Sequence, residues 1–175
     1  DVATHIQSGN AVFTTGPGDA TALARALEGH LHSMLSLTTV AFVMTLEDLE
    51  AASRANPFRP KGSDDTVSHV MFLDAEPDAR HRAALMSLAG DDYRFAVKGR
   101  VLYYAYPRSS VGRRRQVNFE KMLGVRGTAR TYKVVDALIS MLRERSSAGR
   151  PNATGRGASE AGTATRSRSA PRTRR

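Results

Sequence analysis

The chain has 175 residues, a formal net charge of +9 and no cysteine. This length allows one domain or two small ones, and the lack of cysteine excludes disulfides, thiolate catalysis and cysteine-ligated zinc. We find no apolar run of membrane-spanning length and no leader of charged and then apolar residues. We therefore expect a cytoplasmic protein without a membrane partner.

The positive charge is concentrated near the end of the chain. Residues 146–175 contain seven arginines and one acid, Glu160, whereas the first 145 residues carry a net charge of only +3. The tail is rich in small and polar residues and has no periodic apolar positions, which predicts disorder. It is interpreted either as a solvated tail or as an arm with weak, nonspecific affinity for nucleic acid.

The first predicted element is a β-hairpin over residues 5–13, whose sequence is His-Ile-Gln-Ser-Gly-Asn-Ala-Val-Phe. Gly9-Asn10 favours a tight turn because both residue types tolerate positive φ. A hairpin needs a sheet or a helix to pack against. This one begins close to the first residue, Asp1. We therefore expect the chain to begin inside a fold.

A helix is predicted after the Gly-Pro-Gly break at residues 16–18, with Asp19 as its N-cap. Its apolar residues recur at three- and four-residue steps, which predicts one buried stripe. The members of this stripe are Leu23, Leu27, Leu31 and Met34 or Leu35.

The β-branched and apolar run over residues 38–44 predicts a buried strand. Thr45 and Asp48 have the spacing of a capping box, so a short helix is predicted that ends before Asn56-Pro57.

The second half of the chain has clearer signals from alternation, caps and glycine stops. The predicted elements are a strand over 66–73, a helix from Pro77 to about Leu88, strands over 93–97 and 101–106, a short helix after Asn118 and a final helix from about Thr128.

The element order is ββαβα followed by βαββαα, which predicts an α+β duplication with antiparallel sheets. Residues 1–58 would form an incomplete first half that lacks its opening strand and helix. Residues 59–145 would form the second half, and residues 146–175 the disordered basic tail.

The hairpin at residues 5–13 resembles the Y-I-Q-S-G-N-V-V-F signature of a bacterial family known as domain of unknown function 1697. Three further stretches are similar to that family in order and spacing. They are Leu46 to Phe58 with its A-N-P-F ending, Val70 to Asp74, and the G-T-A-R element at Gly127 to Arg130.

The resemblance implies two ferredoxin-like α/β-sandwich halves and no assigned activity. The family's opening L-R-G-I-N-V-G-G strand is absent, so the chain resembles an N-terminally truncated member. Residues 131–135 depart from the family's N-W-x-T-V pattern, and Gly112 to Arg115 replace its S-K-L element.

The best candidate site is a cationic segment with a single acid between Arg108 and Lys133. Cations near the start of the predicted last helix, such as Arg130 and Lys133, oppose the helix dipole unless an anion lies among them. The predicted anion-binding residues are Arg113, Arg114, Arg115, Arg126, Gly127, Thr128 and Arg130. Alternatively, these side chains are solvated, or Arg130 bonds Asp91 or Asp92.

Ser8, Gly9 and Asn10 form the second candidate site, in which a hydroxyl and an amide at the hairpin tip would contact a ligand. The alternative is purely structural, because a tight turn needs the same residue types.

No cofactor and no metal are predicted. The histidines lack chelating spacing, and the acidic pairs at 64–65 and 91–92 are ordinary for loops. The aromatic residues over 93–106 lack the glycine-flanked pattern of RNA-binding sheets, and the alternation places part of them in the core.

Three functions remain open. The preferred one is a noncatalytic module whose partner is a phosphate-bearing ligand or a nucleic acid. The second is an enzyme acting on a phosphorylated or nucleotide-like substrate held by Arg130 and Thr128. Its base would be Asp91, Asp92 or a residue of the absent N-terminal segment. The third is a self-associating interaction protein.

Overall fold

The computed structural model describes residues 2–5, 9–62 and 64–148. The predictions for Ser8 and for the tail beyond residue 148 lie outside these residues. Two antiparallel sheets and five α-helices form the described part, which confirms the mixed α+β class. The elements are β1 Val2–His5, β2 Asn10–Phe13, α1 Ala20–Leu35, α2 Leu46–Ala55, β3 Thr66–Leu73, α3 Ala79–Met86, β4 Arg94–Lys98, β5 Val101–Pro107, α4 Phe119–Leu123, β6 Gly127–Thr131 and α5 Tyr132–Ala148.

Three helices begin at the caps that the sequence predicts. Asp19 accepts a hydrogen bond from the Thr21 amide at 2.9 Å, and Thr45 and Asp48 form a reciprocal capping box. Asn118 caps α4, which ends at Gly124 in the left-handed conformation. Side-chain acceptors thus satisfy amides that have no partner within the helix.

The helix after Pro77 is shorter than predicted. Asp78 is the N-cap because its carboxylate accepts from the His81 amide at 2.8 Å, so Pro77 precedes the cap. The α-helix ends at Met86, and the Leu88 amide bonds the Leu85 carbonyl in a tighter turn.

The main sheet has the strand order β4-β5-β3-β6, and every neighbouring pair is antiparallel. β3 is central and almost entirely buried, and it pairs with β5 on one side and β6 on the other. His69, for example, lies opposite Tyr104 and Thr131.

Both faces of the main sheet are covered. Face one is packed against α3 and α4, and its buried residues are Met71, Leu73, Leu85, Tyr93, Phe95, Leu102, Tyr104, Tyr106 and Leu123. Face two is packed against α2 and α5, and its buried residues are Leu49, Ala52, Val70, Phe72, Tyr103, Val135 and Ile139. Alternation along β3 and β5 therefore feeds two apolar cores, one on each side of the sheet.

The hairpin has a different register from the predicted one. His5 pairs with Asn10, so Asn10 is the first residue of β2 rather than half of a two-residue turn. Its side-chain amide donates to the His5 carbonyl at 3.2 Å, which closes the end of the ladder. Gly9 has the positive φ that the sequence predicts, at 72°.

The predicted strand over residues 38–44 is wrong. The segment belongs to neither described sheet, and the Ala41 amide donates instead to the Glu28 carboxylate at 2.9 Å. Phe42 and Met44 pack against the core of face two. The apolar residues of this segment therefore reflect packing against the core of face two, and not strand pairing.

The predicted start of the last helix at about Thr128 is also wrong. Residues 127–131 form β6, paired with β3 from Leu73 to His69, and α5 begins at Tyr132. A Cβ built on Gly127 would lie 3.0 Å from the backbone carbonyl oxygen of Phe72 and closer still to the ends of the Met71 and Leu73 side chains, so this close approach favours a glycine. The second half therefore has the order βαββαβ followed by α5.

Candidate anion-binding site

The two candidate sites meet at Arg130. Its Nε atom donates to the Asn10 Oδ1 atom at 2.6 Å, and its Nη1 atom donates to the Thr128 Oγ1 atom at 2.6 Å. Nη1 also donates to the Ala129 carbonyl at 2.8 Å. The side chain therefore joins the main sheet to the N-terminal hairpin.

Strand geometry explains this arrangement. Thr128 and Arg130 are two positions apart in β6, so their side chains share one side of the strand. They lie opposite Phe72 and Val70, which belong to face two. Asn10 reaches the same place from the end of the hairpin ladder.

The surroundings of Arg130 are partly desolvated. The residue is half-buried, and burial lowers the pKa of its guanidinium below the ordinary value. Electrostatic attraction between a charged group and an oxyanion is stronger where water is partly excluded. The geometry thus presents a guanidinium, a hydroxyl and an amide at one half-buried point.

Arg126 and Gly127 already bind carboxylates of the protein. Asp74 accepts from the Arg126 amide at 3.0 Å and from its Nε atom at 2.7 Å, and this bond raises the pKa of Arg126. The Gly127 amide donates to a Glu120 carboxylate oxygen at 2.9 Å. Anion recognition does occur at this turn, but the anions are side chains of the same fold.

Arg113, Arg114 and Arg115 lie at the other end of the main sheet. They follow β5, whose last residue pairs with Thr66 at the start of β3, whereas Arg126 lies beside Asp74 after the end of β3. The predicted set of seven residues is therefore divided between two places.

Arg114 is held against the aromatic residues of face one. Its guanidinium carbon lies 3.8 Å from the centre of the Tyr106 ring, and its Nε atom donates to the Tyr93 hydroxyl at 2.9 Å. Arg113 and Arg115 are exposed on either side of it. The Arg113 side chain donates to the Ser109 carbonyl at 2.7 Å.

The helix-dipole argument does not apply to Arg130, because this residue lies in β6 and not in a helix. Lys133 is in the first turn of α5 and is exposed, and the Thr131 hydroxyl accepts from the Val134 amide at 3.4 Å. Arg130 was expected to lie at the start of the last helix, but that helix begins at Tyr132. The contact with Asn10 had no local signal, since it joins distant parts of the chain.

His69 is a residue that the spacing of the histidines did not single out. Its ring stacks on the Tyr104 ring with centroids 4.6 Å apart and planes at 3°. Its Nδ1 atom is buried and has no hydrogen-bond partner in the described part of the chain. Burial, aided by the positive charge of Arg114, lowers the pKa of His69 to about 4.

A polar cleft of about 370 Å³ lies between α2 and α5. Its cations pair with its acids, since Arg59 contacts Asp136 at 2.6 Å and Arg143 contacts Glu50 at 2.6 Å. Two arginines, Arg143 first and then Arg54, lower the pKa of Glu50. This network fastens one helix to the other.

The described residues contain neither a cluster of metal ligands nor a helix that could span a membrane. No group of three or more histidines, cysteines and acids has the geometry to hold a metal ion. Within residues 2–5, 9–62 and 64–148, no helix combines the length and apolar content needed to cross a bilayer.

Comparison with known proteins gives one positive result. A family model described as "Protein of unknown function (DUF1697)" matches residues 1–103. No curated protein and no solved structure matches the chain. The hairpin, the segment ending at Phe58 and β3 lie within the match, whereas Gly127 to Arg130 lie outside it. Because the match covers more than half of its residues, the chain belongs to the DUF1697 family.

Proposed function

We propose that the protein is a noncatalytic module that binds phosphate-bearing ligands through Arg130, Thr128 and Asn10. The observation that carries this proposal is the meeting of these three side chains, with Arg130 bonds of 2.6 Å to each of the other two. A guanidinium and a hydroxyl are donors that suit phosphate oxygens, and an amide supplies both a donor and an acceptor.

The environment of Arg130 adds to the argument. Charge-assisted hydrogen bonds are stronger than neutral ones, and partial burial of the guanidinium reduces competition from water. A phosphate oxygen that replaced the Asn10 oxygen would exchange a neutral acceptor for a charged one. A ligand would therefore bind by displacing the Asn10 oxygen from the Arg130 Nε atom.

The test is a titration of the full chain with inorganic phosphate, followed by calorimetry or NMR. Arg130→Gln should weaken binding about tenfold or more, because it removes the charge from a charge-assisted hydrogen bond. The matched control is Arg25→Gln, since Arg25 is an exposed arginine in α1. Equal affinity of the wild-type protein and the Arg130 variant would overturn the proposal.

Asn10→Asp provides a second variant that retains Arg130. It would place a permanent carboxylate where the Asn10 oxygen now accepts the Nε bond. We expect it to abolish phosphate binding while strengthening the link between the hairpin and β6. Unchanged phosphate binding in Asn10→Asp would show that the ligand lies elsewhere.

We also propose the finer description of the fold as two ferredoxin-like halves, residues 1–58 and 59–145. The second half supports this with its βαββαβ order and its strand order β4-β5-β3-β6. A cytoplasmic location is proposed from the absence of cysteine.

A further inference from the structure

A column of aromatic rings runs across face one of the main sheet and ends at His69. Phe119 of α4 packs on Tyr104 with centroids 4.5 Å apart, and Tyr104 stacks on His69 at 4.6 Å. The Tyr106 ring lies 5.5 Å from the His69 ring. The column thus begins in the apolar core and leads outward along one row of the sheet.

The outer end of this column lies one strand in from the edge of the sheet. The next position in the row after His69 is Thr131 in β6, the edge strand. Its side chain is small, and His69 itself is only half-buried. In the described residues, the ring contacts of His69 are those with Tyr104 and Tyr106, on the inner side.

The protonation of His69 follows from its surroundings. The Nδ1 atom is buried and without a hydrogen-bond partner in the described residues, and burial lowers the pKa of the ring, so the ring is neutral near pH 7. A neutral aromatic ring that is already aligned can stack on another flat ring at little entropic cost.

Cations accompany the end of the column. Between Asp92 and Glu120 the sequence contains seven lysines and arginines and no acid. Arg114 is fixed over the Tyr106 ring, and its chain neighbours Arg113 and Arg115 are exposed. Arg108 pairs with Asp65, whereas no ion pair is found for Arg113 and Arg115 among the described residues. Flat aromatic surface beside such cations is the combination by which proteins bind bases and their phosphates.

We propose that the outer ring face of His69 is a stacking platform for a nucleobase, and that Arg113 and Arg115 contact the attached phosphate. The platform is on face one, whereas Thr128 and Arg130 lie opposite face-two residues, so this inference goes beyond the phosphate site proposed above. The ligand is a base that carries a phosphate, either a free nucleotide or single-stranded nucleic acid.

The experiment compares two probes, AMP and ribose 5-phosphate, with the full chain at one fixed salt concentration. They share a sugar and a phosphate, so the contributions of the basic tail and of Arg130 are common to both. Stacking of the base should make AMP bind about five- to a hundredfold more tightly. His69→Phe retains a flat ring and should keep this preference.

Thr131→Leu should abolish the preference, because a larger side chain would occupy the space beside the His69 ring. Thr131→Val is the matched control, since it also loses the weak bond to the Val134 amide but adds little volume. Circular dichroism and thermal melting of each variant check that it is folded.

Equal affinity for AMP and ribose 5-phosphate, or no binding of either, would overturn the inference. A preference that survives Thr131→Leu would also overturn it. Arg130→Gln should leave the AMP preference unchanged, so failure of the phosphate site and failure of the platform are distinguishable. A hexanucleotide of adenosine that binds more tightly than AMP would support the platform and identify nucleic acid as its source.

Discussion

Residues 2–44 and residues 45–148 differ sharply in how they are held. Among the described residues of the first region, Val12 is the single buried apolar residue, and α1 buries none. Met34 and Leu35 are 68% and 66% exposed. The second region contains every other buried apolar residue of the described chain, and all of them except Ala105 belong to two cores on either side of one sheet.

The difference shows that regular helices and strands do not by themselves make a region stable. Apolar burial is the main source of folding free energy, and the first region has little of it. Its link to the rest of the molecule includes a polar contact, from Arg130 to Asn10. We therefore expect the first region to open locally at a lower free-energy cost than the main sheet.

The largest expected difference comes from truncating one leucine in each region. Leu102 is fully buried in face one, so Leu102→Ala should lower the free energy of unfolding by about 3 kcal/mol. Leu27 in α1 is half-exposed, so Leu27→Ala should cost about 1 kcal/mol or less. Urea denaturation measures both values, and similar costs would remove the contrast between the regions.

A glycine pair should sharpen the contrast, with effects of opposite sign. Gly127→Ala would place a methyl group 3.0 Å from the backbone carbonyl oxygen of Phe72 and should destabilise the protein by about 1 kcal/mol. Gly29 lies inside α1 with open space around it, so Gly29→Ala should stabilise α1 by about 0.5–1 kcal/mol. An unchanged free energy of unfolding in Gly127→Ala would show that the β6 backbone can move away from β3 without cost.

The smallest expected effect is a loss of stability in the main sheet as the pH falls. His69 is neutral in the fold because burial lowers its pKa to about 4. An unfolded chain binds the proton near the ordinary pKa of about 6.5, so stability is full above that pH and is lost as the pH falls towards 4.

Because the His69 ring is only half-buried, solvent screening limits this loss to about 1 kcal/mol or less. His69→Phe keeps the stack and removes the titration, so its stability should change less than that of the wild-type protein between pH 7 and pH 4. Denaturation curves at these two pH values test this. Parallel losses in both proteins would exclude His69 as the cause.

Local chemistry made part of the fold predictable. The caps at Asp19, Thr45 and Asn118 are short-range hydrogen bonds, and the apolar runs within 66–73 and 101–106 directly reflect a sheet covered on both faces. These features need only the neighbouring residues. For that reason the elements that carry them were found with nearly correct bounds.

Two errors came from contacts made at a distance. Residues 38–44 have strand composition, but a strand also needs a partner, and this segment packs against face two instead. Residues 127–131 show no alternation of burial. They form a strand because they pair with the side of β3 that β5 leaves open. Neither partner is visible in the local sequence.

The candidate site was predictable in its residue types and not in its geometry. Charge patterning singled out Arg130, and turn composition singled out Asn10, but nothing in either pattern joined them. The structure separates Arg113 to Arg115 from this pair and gives Arg126 a carboxylate partner in Asp74. Placement of the pair required the register of β6 and of the hairpin.

The central position of β3 has a consequence for the order in which the molecule assembles. Both of its partners, β5 and β6, come later in the chain, at residues 101–107 and 127–131. During synthesis, this largely buried strand must therefore wait without its hydrogen-bonding neighbours. We expect folding to be rate-limited by arrival of the last strand, and nascent chains that stall before residue 127 to be clients for chaperones.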